Sequence, residues 1–250
     1  MEKLVYALWK GSEDYKDFNK RLLGPLRKKL GKLGADRLQI NVVDDTVSAG
    51  APLRQENLRP GPSALVSFWL NSSHIREPFE KALEAEAPRI AGYAVTESTV
   101  LPITKVHKDG DRTKGFSQIA LIQCPSRVTR DYYLDTWLGS HTQVGVETQS
   151  NFYYCQNIVN RVLTAGSPHW ISIVEECFPV EAMTDAQAFY DAAGDQAKFE
   201  QRLDRMMSSC GRFIDVDKID VLITSEFRFG GWADNKDQPA YVCSRKVAAG

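Results

Sequence analysis

A histidine stands at position 141 in "DTWLGSHTQVG" (residues 135–145), just past a Gly-Ser pair that follows an amphipathic stretch. An imidazole changes charge near neutral pH, so it can take a proton from a carbon or hydroxyl and give it back. Polar-tipped aromatics gather around it: Tyr133 and Trp137 upstream at helical spacing, Tyr153 and Tyr154 in the apolar stretch that follows. Such rings can wall a pocket for a flat molecule, and a tyrosine hydroxyl can orient a phenol or serve as a second acid. Two more polar groups interrupt an apolar pattern. In "WISIVEECFP" (170–179) positions 171, 173 and 177 are Ile, Ile and Cys while 175 is Glu, and Asn157 shares the parity of Tyr153 and Cys155. A carboxylate on a half-buried strand needs a partner or has a raised pKa. Glu175 is therefore read as a base or as the group that orients His141, against a plain ion pair with an arginine such as Arg161. The candidate set is His141 and Glu175 for proton transfer, with Tyr133, Trp137, Tyr153, Tyr154 and Asn157 around the substrate. His74 and His107 read as solvated, and His169 as a loop residue.

Other chemistries lack their signatures. The sequence has no Gly-rich phosphate loop, no H-E-x-x-H, no nucleophile elbow and no run of metal ligands, so neither metal nor cofactor is expected. A lone histidine as axial haem ligand is the competing use of His141, and a Soret band would reveal it. The 31 basic and 32 acidic side chains leave a net charge of −1, no field to attract nucleic acid or anionic lipid. The opening "MEKLVYALWKG" lacks the apolar core and cleavage site of a secretory leader, and no apolar run approaches a membrane helix. Five cysteines without a C-x-x-C pair read as reduced thiols. The expectation is a cytoplasmic protein whose partner is a small molecule, with a homodimer left open.

The elements that must position these residues come in two similar series. "KLVYALWKG" (3–11), "RLQINVVDD" (37–45), "SALVSFWLNS" (63–72) and "RIAGYAVTESTVLP" (89–102) read as strands. Between the first two, Tyr15, Phe18, Leu22, Leu26, Leu30 and Leu33 form one apolar helical stripe, with Ser12 as expected N-cap and Gly34 as stop. A polar loop spans 46–62 and a short helix 74–86. After a polar stretch (103–115) the order restarts: strands at 116–125, 151–163, 170–179 and 218–230, with helices expected at 126–138 and 184–207. Both series read β-α-β-β-α-β, the ferredoxin-like unit. Local wording repeats too. Ala7-Leu8 matches Ala120-Leu121, "LLGPL" (22–26) matches "WLGSH" (137–141), and "VTES" (95–98) matches "ITSE" (223–226). Strands with apolar residues on both parities have two faces to bury, which two sheets packed face to face would satisfy. The predicted fold is α+β: two ferredoxin-like repeats, 1–104 and 116–231, joined by a linker (105–115) into an intramolecular barrel. A tail (232–250) follows, in which "AYVCSRKV" could add an edge strand.

The stretch "RDYYLDTWLGSHTQVG" between two strands resembles the EthD family of the dimeric α+β-barrel superfamily, best over 116–230. The first repeat is similar but lacks the Trp and His. The resemblance implies small-molecule chemistry on aromatic or apolar substrates held between sheet and helices; relatives include cyclases, lactone isomerases, cofactor-free monooxygenases and haem enzymes. The functional expectation is a cofactor-independent enzyme of proton transfer, preferred as a carbon–carbon lyase (retro-aldol or decarboxylation) in aromatic catabolism. Its alternatives are a cyclase or isomerase, and a non-catalytic carrier serving an oxygenase. Leu26 in the place of His141 makes the first repeat the expected scaffold and the second the bearer of the site.

Overall fold

A computed structural model of the chain describes residues 1–103 and 108–230. Eight strands close into one antiparallel barrel: β1 (Glu2–Trp9), β2 (Asp36–Val42), β3 (Ala64–Leu70), β4 (Arg89–Leu101), β5 (Phe116–Gln123), β6 (Tyr153–Val162), β7 (Trp170–Phe178) and β8 (Asp220–Phe229). The strand order is β1-β3-β2-β8-β5-β7-β6-β4. Within each group of four, the first strand lies between the third and the fourth, as in a ferredoxin-like sheet. The two sheets are stitched along both edges, β2 to β8 and β4 to β6. The outcome is the predicted dimeric α+β barrel built from one chain, and it leaves neither sheet with a free edge.

Alternation along each strand separates two environments. One parity points into the barrel, where Val5, Trp9, Leu65, Tyr93, Ile119, Leu121, Trp170, Ile173 and Leu222 form a shared apolar core. The other parity points outward to the helices. In the first half α1 (Tyr15–Arg21), α2 (Arg27–Lys32) and the turn between them bury Phe18, Leu22, Leu26 and Leu30 against Leu4, Tyr6, Leu8 and Phe68, and α3 (Glu77–Glu84) adds Phe79. In the second half α4 (Arg130–Asp135), α5 (Thr142–Thr148), α6 (Ala186–Phe189) and α7 (Gln196–Gly211) lie over the outer face.

The repeat in the helices is literal. α1 and α2 are joined without a break by one π-helical turn, Leu22–Leu26, and α4 and α5 by another, Thr136–His141. The backbone N–H of Arg27 reaches Leu22 O, and that of Thr142 reaches Trp137 O, each five residues back. This aligns Leu22 with Trp137, Leu26 with His141 and Leu30 with Gly145. The Gly-Ser pair thus lies inside a helix that runs to Thr148, not at a break; Gly139 and Ser140 tolerate the wide turn.

The strand wording is a coincidence. Ala7 faces the barrel core while Ala120 faces the helices, and Val95 faces the core while Ile223 faces outward. Other boundaries also move. The first helix is capped by Asp14, whose side chain accepts from Asp17 N at 2.8 Å, and not by Ser12. The helix before His141 begins at Arg130 behind Thr129, whose hydroxyl accepts from Tyr132 N. The loop after β2 contains a 3-10 stretch, Asp45–Leu53. The expected 184–207 helix is two, because Gly194 at φ +76° turns the chain and Asp195 caps a new start. His107, Cys243 and the expected edge strand lie outside the described residues. Among the described residues no helix is long and apolar enough to cross a membrane.

Candidate active site

Between the outer face of the second sheet and its helices lies a cavity of about 610 Å³. Its floor is β5–β8, through Gln118, Ala120, Tyr154, Val174 and Glu176, and its roof is Trp137, His141 and Gly145 with Met206 and Cys210 of α7. One wall comes from the first half: Ala49, Pro52, Leu53 and Gln55, carried across by the 3-10 stretch and pinned to β8 by paired backbone bonds between Gln55 and Val221. The matching space in the first half is filled by Leu22, Leu26 and Leu30, each no more than 1 % exposed. Replacing Leu30 by Gly145 is one of the exchanges that empties it: a Cβ built on Gly145 would meet only Gln149 and Tyr154, both at 3.7 Å.

The sequence-derived residues separate by strand parity. His141, Trp137 and Tyr154 border the cavity. Tyr133 is fully buried, its hydroxyl paired with Ser172 Oγ at 2.6 Å and its ring edge-on to Phe213. Tyr153, Asn157 and Glu175 point the other way, into the barrel. Tyr153 lies under the Arg228 guanidinium at 4.5 Å, and Asn157 donates to Glu175 Oε1 at 2.8 Å and to Ile173 O. Consecutive strand residues such as Tyr153 and Tyr154 cannot share a face. Glu175 is likewise on the opposite face of the sheet from His141, and its ion-pair partner is Lys3, not Arg161.

Lys3 Nζ sits 3.1 Å from Glu175 and 2.7 Å from Glu97, in the barrel interior. Burial pushes the Glu175 carboxyl up. The Lys3 ammonium and donors from Asn157 and Gln39 outweigh it, leaving the group below the usual carboxylate range. Asn41 continues the network to Ser117 and Thr224, both at 3.1 Å. These links join strands of the two halves and fix how the sheets mate.

The buried carboxyl in the cavity is the next residue, Glu176, 8 % exposed. It faces Gln118 of β5 on one side and Tyr154 of β6 on the other in the sheet register, and Asn151 Nδ2 donates to it at 2.7 Å. Burial lifts its pKa to about 7, more than the Asn151 and Gln118 amides lower it. Tyr154 Oη accepts from Trp137 Nε1 at 3.2 Å and Gln156 Nε2 at 3.1 Å, so what remains to it is donation. On the roof, His141 is buried beside Phe213, its Nδ1 2.9 Å from Ser209 Oγ. Burial, reinforced by the Arg212 guanidinium, pushes its pKa down to about 4. At neutral pH the cavity thus holds a carboxyl near its midpoint and a neutral imidazole.

Sequence reasoning passed over Glu176 although the signal was there. Once both faces of the strand are expected to be buried, a glutamate is as anomalous at 176 as at 175. Ser209 and Arg212 had no such mark, since a polar residue near the end of an amphipathic helix is ordinary. Among the described residues no group of three or more His, Cys, Asp or Glu side chains is placed to hold a metal ion.

No protein-family model matches the sequence, and no curated protein matches it. Solved structures do. An anthrone oxidase-like protein superposes with a TM-score of 0.50 at 10% identity, covering 91% of this chain and 91% of that one. A proposed monooxygenase from Fusobacterium nucleatum subsp. nucleatum gives 0.50 at 8% identity, covering 91% and 92%. A mutant chlorite dismutase from Candidatus Nitrospira defluvii gives 0.48 at 9% identity, covering 90% and 91%. At such identities the first two likenesses show a shared fold, the dimeric α+β barrel.

Proposed function

We propose that this chain is a cofactor-independent enzyme that moves a proton on an apolar, carbonyl-bearing small molecule, an aromatic or polycyclic one, with one site per chain. The observation that carries the reading is Glu176: a buried carboxyl with its pKa near 7, in the same cavity as the neutral His141. A base poised near the working pH is what proton abstraction requires, and raising a carboxyl by burial is the usual route to it. A carrier would need only the apolar walls.

In the preferred lyase reaction, a retro-aldol cleavage, Glu176 takes the hydroxyl proton of the substrate. The carbon–carbon bond breaks to leave one carbonyl and one enolate, and Glu176 returns the proton to carbon. His141 and Tyr154 hydrogen-bond the oxygen on which negative charge develops. Isomerisation and cyclisation use the same proton transfer beginning at carbon. Likeness in fold to an anthrone oxidase-like protein and a proposed monooxygenase favours one more fate for such a carbanion, reaction with dioxygen. The EthD-like wording around His141 supports the same placement of the site, and the leucine-filled first half serves as scaffold.

The test is solvent deuterium incorporation. A panel of aromatic ketones and β-hydroxy carbonyl compounds is incubated with protein in D₂O, and label at carbon is read by mass spectrometry. Glu176→Gln and His141→Ala should each lower the rate about 10²–10⁴-fold, the usual scale for acid–base groups. Compounds that bind but exchange no faster than in buffer would make the protein a carrier.

A further inference from the structure

Ser209 and Arg212, at the end of α7, take no part in the proton transfer described above, yet they decide what His141 can do. Arg212 Nη2 donates to Ser209 Oγ at 3.0 Å and to Ser140 Oγ at 3.0 Å. A guanidinium has no lone pair to offer and keeps its protons, so the serine oxygen can only accept on that side. Ser209 then has one proton to give. Among the described residues, the remaining partner of its oxygen is His141 Nδ1, at 2.9 Å. No helix carbonyl takes the proton, in contrast to Thr148, whose hydroxyl turns back to Val144 O at 2.7 Å.

With Nδ1 as the acceptor of that proton, the single proton of a neutral imidazole sits on Nε2. The ring is held by Phe213, edge-on at 4.8 Å between centroids. Nε2 has no partner among the described residues, and the ring borders the cavity. Arg212 is the cation set against the ring; the carboxyls of Glu176 and Asp185, the hydroxyls of Tyr154 and Tyr190 and the thiol of Cys210 border the same space.

We propose that Arg212, acting through Ser209, is a positioning residue that fixes His141 as a neutral Nε2–H donor to a carbonyl or enolate oxygen. His141 then stabilises charge while Glu176 carries the proton, a division that differs from a histidine base. A second proton on the ring is opposed by burial and by the guanidinium alike, in keeping with its low pKa. The use of this donor rests on the proton-transfer reading; its existence is a property of the resting protein.

The experiment is long-range ¹H–¹⁵N correlation of the imidazoles in uniformly labelled full-length protein, without ligand, between pH 5.5 and 8. His141→Gln identifies the signal among the four histidines. The expected spectrum shows one neutral tautomer, protonated at Nε2, over the whole range. Ser209→Ala should turn it into a mixture of tautomers, and Arg212→Gln should let the ring take its second proton at higher pH. A wild-type ring protonated at Nδ1, an imidazolium at pH 7, or an unchanged tautomer in Ser209→Ala would each overturn the proposal. The wild-type spectrum decides by itself should a variant not fold. Deuterium incorporation on the same sample separates the two readings, because absent exchange with an intact Nε2–H signal defeats the enzyme and spares the tautomer.

Discussion

Replacing Glu176 by Gln should make the protein more stable, and increasingly so as the pH rises. The carboxyl titrates at its ordinary value of 4.5 in the unfolded chain and at about 7 in the fold. A folded pKa that is raised means folding favours the protonated form. The group's contribution is fully present below pH 4.5 and is lost as the pH climbs through 7. At pH 8 nearly the whole difference is felt, about 3 kcal/mol at ~1.4 kcal/mol per pKa unit. At pH 5 the two forms should differ by less than about 1 kcal/mol. Glutamine has almost the same shape, keeps an oxygen for the Asn151 amide and has no charge to desolvate. Urea unfolding of both proteins at pH 5, 6, 7 and 8 measures the effect. Near pH 8 the gap should appear as roughly 6–12 °C in melting temperature for a domain of this size. Parallel stability curves over this range would show that Glu176 titrates as an exposed carboxyl. That result would remove the base from the proposed mechanism along with the stability argument.

Two other substitutions probe the frame around the site. Lys3→Met leaves Glu97 and Glu175 facing each other without a cation, a loss of about 3–5 kcal/mol, and adding Glu175→Gln should recover much of it; chemical denaturation of the single and double variants checks both. Leu26→Ala empties a fully packed position in the first half and should cost about 2–5 kcal/mol while leaving the His141 imidazole signal and deuterium incorporation unchanged.

How far the residues themselves disclosed all this depends on the length of the pattern. The eight strands were legible because each is long, apolar and bounded by turn residues, and two identical orders of elements required two faces to be covered. The π turns were not legible: nothing in "LLGPL" or "WLGSH" distinguishes a widened helical turn from a helix end, and a Gly-Ser pair ordinarily suggests an end. His141, Trp137 and Tyr154 were found by residue type and do meet in one cavity. Tyr153 was drawn in beside Tyr154, and Asn157 and Glu175 as polar breaks in an apolar parity, which does not say which sheet face that parity occupies until register is known. Partners supplied from far along the chain, Lys3 for Glu175 and Ser209 for His141, leave no local trace.

The stitching of β2 to β8 and β4 to β6 has a consequence for synthesis of the chain. The first four strands leave the ribosome with both outer strands unpaired and with the barrel-facing side of the sheet in water; β4 must wait for β6, and β2 and the closed barrel for β8, the last strand. Such a half-sheet is a template for another nascent chain. The side that waits is not uniformly greasy: Lys3, Gln39, Asn41 and Glu97 share it with Val5 and Leu65. In the finished barrel these groups are costly to bury and must be matched by Glu175, Ser117 and Thr224. During the interval before those partners exist, the same groups keep the waiting face wetted, and they discourage closure on anything that lacks the matching set.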